Sequence, residues 1–487
     1  MSVVHTSDPP GWKVILAGAM AGGMGWGIRG QYGHETGAMI AGLLVSLSLV
    51  LLLCPEGPSL SVARAVAWGT LAMGFGGSMT YGQTIGLTQN PGMVGRWDAL
   101  AWGMLGLAIK GGLWIAFAGA FLGMGLGGRR YRGKEVFGIL LGMLCLFWLG
   151  IRWVNEPFDP EHRVLPMLYF SADWRWEPGA ELKPRREVWG GYLFALVGLL
   201  SHLGLFRREH LAVRLAGWGF LGGAIGFPLG QSIQAFHAWN PGMFRSGFGA
   251  HLEPFMNWWN WMETIFGMTM GAALALGLHR NRHRIRFPET PEVLKFPRGW
   301  EWVAVGVHTT LLVSCELLDL GWATRVYDFG LTLTFLPILA VALSLRWAAW
   351  VILPLTVLTI GGKTFLGWTE TTAGLPRVLW FLIHVILPAG VCGLMSRSVI
   401  RDCRSGRSSH RWLRRVLLLN VGLYLGLNFA FFRFPWPWIP WTARTPNALF
   451  FLLAAVVLAW ICFRSGRQSP PVSAAVEAPR QAASPTE

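Results

Sequence analysis

The chain has 487 residues, 53% of them hydrophobic and 14% charged, with a mean hydropathy of +0.43. Soluble domains carry about 25% charged residues, so this composition excludes an ordinary water-soluble globule and points to an all-α integral membrane protein whose main partner is the lipid bilayer. The formal net charge is +16. Its Lys and Arg gather in short loops, the pattern that orients a membrane protein, so no nucleic-acid partner is expected.

A helical crossing takes about 20 mostly apolar residues. On that criterion the chain predicts about 14 crossings, within a range of 12–14. They cover 12–29, 38–53, 62–87, 98–127, 136–154, 188–206, 211–236, 258–279, 302–318, 331–345, 347–361, 377–395, 416–432 and 448–463. The first is expected to be a retained span rather than a signal peptide, because a single Lys13 precedes a glycine-rich apolar stretch. The stretch 98–127 exceeds the length of one crossing and is expected either to tilt or to break at Lys110-Gly111-Gly112. Only Arg346 separates 331–345 from 347–361.

With the N-terminus inside, Arg129–Lys134, Arg207/Arg208, Arg280–Arg286 and Arg397–Arg415 all fall on one side. Both termini are then expected in the cytoplasm, with the protein in a plasma or inner membrane. Fifty of the 63 glycines lie in residues 1–300. That asymmetry divides the chain into a glycine-rich eight-span module over 1–287 and a six-span module over 288–465. The Ser-, Pro- and Ala-rich tail over 466–487 is expected to be disordered.

A motif recurs within the first module. Gly82-Gln83-Thr84-Ile85 is followed by Asn90-Pro91-Gly92-Met93, and Gly230-Gln231-Ser232-Ile233 by Asn240-Pro241-Gly242-Met243. A partial copy, Gly30-Gln31, precedes His34 and Glu35. Both full copies start from the same side, so the repeat is parallel, as in some secondary transporters. Gln31, Gln83, Gln231, Asn90 and Asn240 offer amides at the outer ends of spans. Arg29, His34 and Glu35 add a dense polar cluster that is candidate substrate-binding or acid/base chemistry. Lys110 and Glu263 are ionisable residues inside apolar spans, where charge is costly and is usually functional. Aligning the two repeat copies places them at matching positions, which predicts a Lys110–Glu263 ion pair.

No Walker A, GxSxG or HExxH pattern occurs, and the six cysteines show no CxxC spacing. No cofactor, metal site or ATP hydrolysis is expected. The leading expectation is a transporter or permease for a small polar or anionic solute. Its rivals are a membrane-embedded transferase acting on lipid-linked or envelope substrates at the outer face, using Arg29, His34, Glu35, Asp98 and His237, and a non-catalytic membrane scaffold. His251 and Glu253 accompany His237 in the same outer segment. The aromatic run Phe434–Trp441 reads as an interfacial anchor.

Overall fold

The computed structural model describes residues 9–33, 35–79, 81–287, 298–330, 332–343, 345–369, 376–405, 408–431 and 441–465. The 466–487 tail, His34 and most of the 434–441 aromatic run lie outside these residues. Among the described residues the chain is mainly helical, with an irregular segment between Val154 and Trp189, and forms no strand.

The glycine-rich part comprises α1 (Gly11–Arg29), α2 (Glu35–Leu53), α3 (Ser59–Phe75), α4 (Gly82–Gln89), α5 (Trp97–Leu126), α6 (Gly133–Val154), α7 (Trp189–Ser201), α8 (His210–Trp239), α9 (Gly247–Leu252) and α10 (Trp258–Arg280). A second helical group follows. It contains α11 (Arg298–Glu316), α12 (Gly321–Gly330), α13 (Thr332–Leu343), α14 (Leu345–Trp350), α15 (Thr356–Thr369), α16 (Arg377–Phe381), α17 (Leu387–Arg404), α18 (His410–Phe431) and α19 (Thr445–Ser465). One-turn π segments at Val351–Leu355 and Leu382–Ile386 join α14 to α15 and α16 to α17. Pro354 sits in the first of them, where its missing N–H loosens the helical ladder.

Nine helices among the described residues are long and apolar enough to cross a membrane. The other expected spans are also helical but miss that standard. α3 has 17 residues and α13 has 12, while α18 begins with the basic run His410–Arg415. One expectation about continuity fails, and for a second the unbroken alternative holds. Residues 62–87 do not form one helix: α3 ends in a 3-10 turn at Gly76–Ser78 and the chain restarts as α4. The ring of Trp114 occupies the space where a Cβ on Gly76 would project, so the turn is pressed against α5. Conversely, α5 runs unbroken through Lys110-Gly111-Gly112 for 30 residues.

Side-chain exposure follows lipid rather than water. On α6 the residues Val136, Leu140, Met143 and Phe147 are buried, while Phe137, Leu141 and Trp148 are widely exposed. Large apolar side chains in continuous exposed stripes are unfavourable in water and ordinary in a bilayer. α2 is apolar on every side and is enclosed by its neighbours.

Glycine decides how the helices of the first part meet. Gly18 and Gly22 of α1 lie directly against the backbone of Gly271 and Gly267 of α10, in antiparallel register. α8 carries two such edges. Gly219 and Gly223 meet Ile115 and Gly111 of α5, and Gly222, Gly226 and Gly230 meet Met270, Phe266 and Met262 of α10. At each site a Cβ would overlap the opposing chain. Membrane helices have no hydrophobic drive to associate, so this backbone approach supplies the packing.

The same register collects basic residues at one end of the bundle. Arg207 donates to the Arg130 carbonyl at 2.6 Å, and Arg286 bridges to Gly127. Ser408 and Ser409, in the 397–415 segment, donate to Pro55 beside Gly57, which packs on Phe287. The start of α1 and the end of α19 reach this basic face too, where Lys13 lies 5.6 Å from the ring of Trp460.

Gly223→Leu should separate α8 from α5, an overpacking cost on the order of 1–3 kcal/mol. Gly142→Leu, on a side of α6 with open space around its Cα, should leave the thermal melting point of the detergent-purified protein unchanged. Equal melting of both variants would contradict the packing described.

Candidate functional site

Three long helices each bury an ionisable residue in the half of the bundle away from the basic face. Counting 1.5 Å per residue from the basic-face end, Arg29 of α1 lies about 27 Å along, Glu263 of α10 about 26 Å and Lys110 of α5 about 24 Å. All three are almost fully buried. The sequence reading singled out Lys110 and Glu263 as charges within spans and placed Arg29 at an outer end; the partners differ from those expected.

Arg29 Nη1 donates to Glu263 Oε1 at 2.8 Å and to the Tyr81 hydroxyl at 2.6 Å. Gly30 leaves room for the carboxylate, since a Cβ there would strike it. The guanidinium is ringed by Trp26, Tyr81 and Trp114, whose ring centres lie 5.5–5.9 Å from its central carbon. Asn260 fixes the far side of the pair, donating to the Gly27 carbonyl at 2.6 Å and lying 3.4 Å from Glu263 Oε2. Glu35, at the start of α2, packs on Gly77 and acts electrostatically on Tyr81, which places it in the same cluster.

Lys110 does not pair with Glu263. Its Nζ is 2.7 Å from Glu187 Oε1 and 2.7 Å from Thr84 Oγ1. Ser171 Oγ and the Phe170 amide donate to the same carboxylate at 2.8 and 3.0 Å. The expected pairing fails because the two repeat copies do not face one another through those positions. The segment between α6 and α7 folds down into the bundle instead and delivers Glu187 to Lys110. That segment buries residues 169–173 and Glu187 in the bundle as a plug, while 157–168 and 177–186 are largely exposed.

The repeated amides have divided roles. Gln83, at the first turn of α4, holds the plug: its Nε2 donates to the Lys183 carbonyl at 3.1 Å, and its Oε1 accepts from the Arg185 amide at 3.2 Å. Gln231 lies within continuous α8 and reaches Thr88 and Gln89 of α4 at 2.8 and 3.2 Å. Gln31 is half-buried just past α1. Asn90 and Asn240 both open 3-10 turns, Pro91–Met93 and Pro241–Phe244, with different backbone angles at the Asn.

Several buried polar atoms of this layer have no hydrogen-bond partner among the described residues. They are Gln231 Oε1, Gln234 Oε1, Trp261 Nε1 and both amide atoms of Asn447. Asn447 lies one turn before Phe451, which packs on Gly27, and Arg444 one turn earlier acts electrostatically on Glu263. Lys363 of α15 donates to the Tyr32 carbonyl at 3.0 Å, and the Tyr32 hydroxyl is 3.1 Å from Thr364 Oγ1. The second helical group therefore closes one side of the Arg29–Glu263 cluster.

A separate group forms on the far face. His237 Nε2 lies 2.9 and 3.0 Å from the two oxygens of Glu253, and Trp258 donates to Glu253 Oε2 at 3.0 Å while stacking on the imidazole. His251 and Asp98 are exposed and stand apart from these hydrogen bonds; Asp98 pairs with Arg96 at 3.3 Å.

Tyr81, Glu187, Asn260, Arg444 and Asn447 are members of the layer that sequence patterning did not single out. The signal for Glu187 was chemical: a lysine buried at mid-span requires a counter-charge, and the mixed-charge segment before α7 was a source of one.

A double-mutant cycle separates the two ion pairs. Arg29→Gln alone leaves a buried carboxylate and should cost about 3–5 kcal/mol, and adding Glu263→Gln should recover much of it. Lys110→Met combined with Glu263→Gln should be additive within about 0.5 kcal/mol. Strong coupling between Lys110 and Glu263 would overturn the pairing.

Comparisons of the chain with protein-family models, curated proteins and solved structures return no match.

Proposed function

We propose that this protein is a permease for a small anionic solute, with the binding centre at Arg29 and Glu263 where the glycine-rich bundle meets the second helical group. The observation that carries the reading is the buried Arg29–Glu263 pair, with the unpartnered Asn447 amide one turn along α19 from Phe451, which packs on Gly27. A buried ion pair seldom repays its desolvation through stability alone, and an unsatisfied amide one turn from that contact suits a ligand that completes the hydrogen bonding. Arg29, Lys363 and Arg444 outnumber Glu35 and Glu263 in the immediate surroundings, which favours an anion such as a carboxylate or phosphate. Gln31 lies at the mouth, while Gln83, Gln231, Asn90 and Asn240 frame the layer.

In this reading the chain crosses a plasma or inner membrane fourteen times with the basic face in the cytoplasm. The units α3–α5 and α8–α10 are a parallel repeat, supported by their matching Asn-Pro-Gly-Met turns. The plug that neutralises Lys110 keeps the far side closed to water.

A second reading rests on the His237–Glu253 dyad, whose orientation by Trp258 suits general-base chemistry at the far face. It makes the protein a membrane-embedded transferase, and the two readings separate in one assay. Counterflow in proteoliposomes, with phosphate, sulfate and short mono- and dicarboxylates as probes, should give saturable exchange of at least one anion. Arg29→Lys should reduce that exchange about tenfold or more by removing the forked guanidinium, while His237→Ala leaves it intact. Absence of exchange for every probe in folded wild-type protein, or exchange indifferent to Arg29→Lys, would sink the permease reading.

A further inference from the structure

The basic face contains a pocket of about 320 Å³ whose walls come from three loops. Arg129 follows α5, Arg208 and Glu209 precede α8, and Arg284 and Arg286 follow α10. The first turn of α8, beginning at His210, opens into the same space and adds unbonded backbone N–H groups. Glu209 lies at the base, only 3% exposed, and its Oε2 has no hydrogen-bond partner among the described residues. Gly127 provides the room for it, because a Cβ at that position would strike the carboxylate.

A second cavity, of about 530 Å³, runs beside α8 between α5 and α7. Its walls are mainly apolar, including Leu196, Leu200 and Leu221, and Arg214 stands at its basic end, 3.4 Å from Asn281 Oδ1. Gly217 faces this space with nothing near its Cα. His210, Arg214, Gly217 and Leu221 follow one another at helical spacing, so the charged pocket and the apolar groove lie in sequence along a single face of α8.

We propose that this paired site binds an anionic glycerophospholipid, with the phosphate held by Arg129, Arg208 and Arg284, a headgroup hydroxyl at Glu209, and an acyl chain in the groove at Gly217. Guanidinium groups match phosphate geometry, and basic pockets between membrane helices select anionic headgroups. A soluble phosphate would account for the arginines but not for the groove beside them. An arginine cluster alone would serve any phosphate; the buried free carboxylate oxygen adds an acceptor that suits a headgroup with its own donor. Burial pushes the Glu209 carboxyl up to about 7 against the pull of Arg129, Arg207 and Arg286. Near neutral pH it therefore also exists in a protonated form that does not repel the phosphate. The site is remote from the Arg29–Glu263 layer, so it stands independently of the transport reading.

Delipidated full-length protein in detergent, titrated with phosphatidylglycerol, phosphatidylcholine or inorganic phosphate, tests this by native mass spectrometry and thermal melting. Phosphatidylglycerol should bind about tenfold or more tightly than phosphatidylcholine, and Arg208→Gln with Arg284→Gln should remove that preference. Gly217→Leu, which fills the groove without touching the charges, should weaken phosphatidylglycerol about tenfold and leave any response to inorganic phosphate unchanged. Glu209→Gln should narrow the margin between the two lipids. Equal binding of both lipids, or full phosphatidylglycerol binding by the double arginine variant, would overturn the proposal. So would phosphate displacing phosphatidylglycerol completely while Gly217→Leu has no effect, since the pocket would then be a soluble-anion site.

Discussion

Gly223 of α8 and Gly111 of α5 approach until a side chain on either would overlap the other's backbone, and Gly22 and Gly267 do the same between α1 and α10. These contacts fix four helices in one antiparallel register, which sets Arg29 beside Glu263 and places Lys110 about one and a half turns nearer the basic face along α8. Close backbone approach is what lipid-embedded helices have in place of a hydrophobic drive. It leaves little freedom to slide, since a shift of one turn would set Cβ atoms against glycine surfaces. The polar layer follows from this packing. So does the gathering of arginines at the opposite end, where the helix ends are brought into line.

The helical class and the membrane-length apolar segments were legible from composition and hydropathy, because both are sums over many residues and no single contact decides them. The importance of Lys110 and Glu263 was legible for a related reason: charge in an apolar span is rare and expensive. Their partners were not. Glu187 comes from a segment of mixed charge whose fold depends on Gln83, Ser171 and the buried Asp173. Arg29 read as an outer-end residue because it closes α1, yet Trp26, Tyr81 and Trp114 enclose it. The break at Gly76–Ser78 was hidden because glycine pairs also occur inside unbroken α5 and α8. A large ring from a distant helix, Trp114, distinguishes the case, and sequence spacing does not reveal it. The repeated tetrapeptides show a similar limit. Asn-Pro-Gly-Met opens a 3-10 turn both times, with different backbone angles at the Asn, whereas Gly-Gln opens one helix and sits inside another.

Two features of the layer bear on function. Its charges are not spread along a continuous channel; they form two clusters, one closed by the plug between α6 and α7, the other facing the second helical group. The unpartnered amide and carbonyl groups lie in the same layer. A scaffold that uses glycine only to dock helices has no need of that arrangement, and an enzyme acting at the far face would concentrate its chemistry near His237 and Glu253. The Arg29–Glu263 cluster lies where the two helical groups meet, a placement that agrees with the proposed binding centre.

The most direct measurement is cysteine accessibility in a background free of native cysteines, with Tyr32→Cys and Asn447→Cys labelled by an impermeant reagent from each side separately. Alternating access predicts that both positions label from the far side in one solute condition and from the basic side in another. Labelling confined to the far side under every condition would contradict transport and leave the His237–Glu253 dyad as the place to look for chemistry.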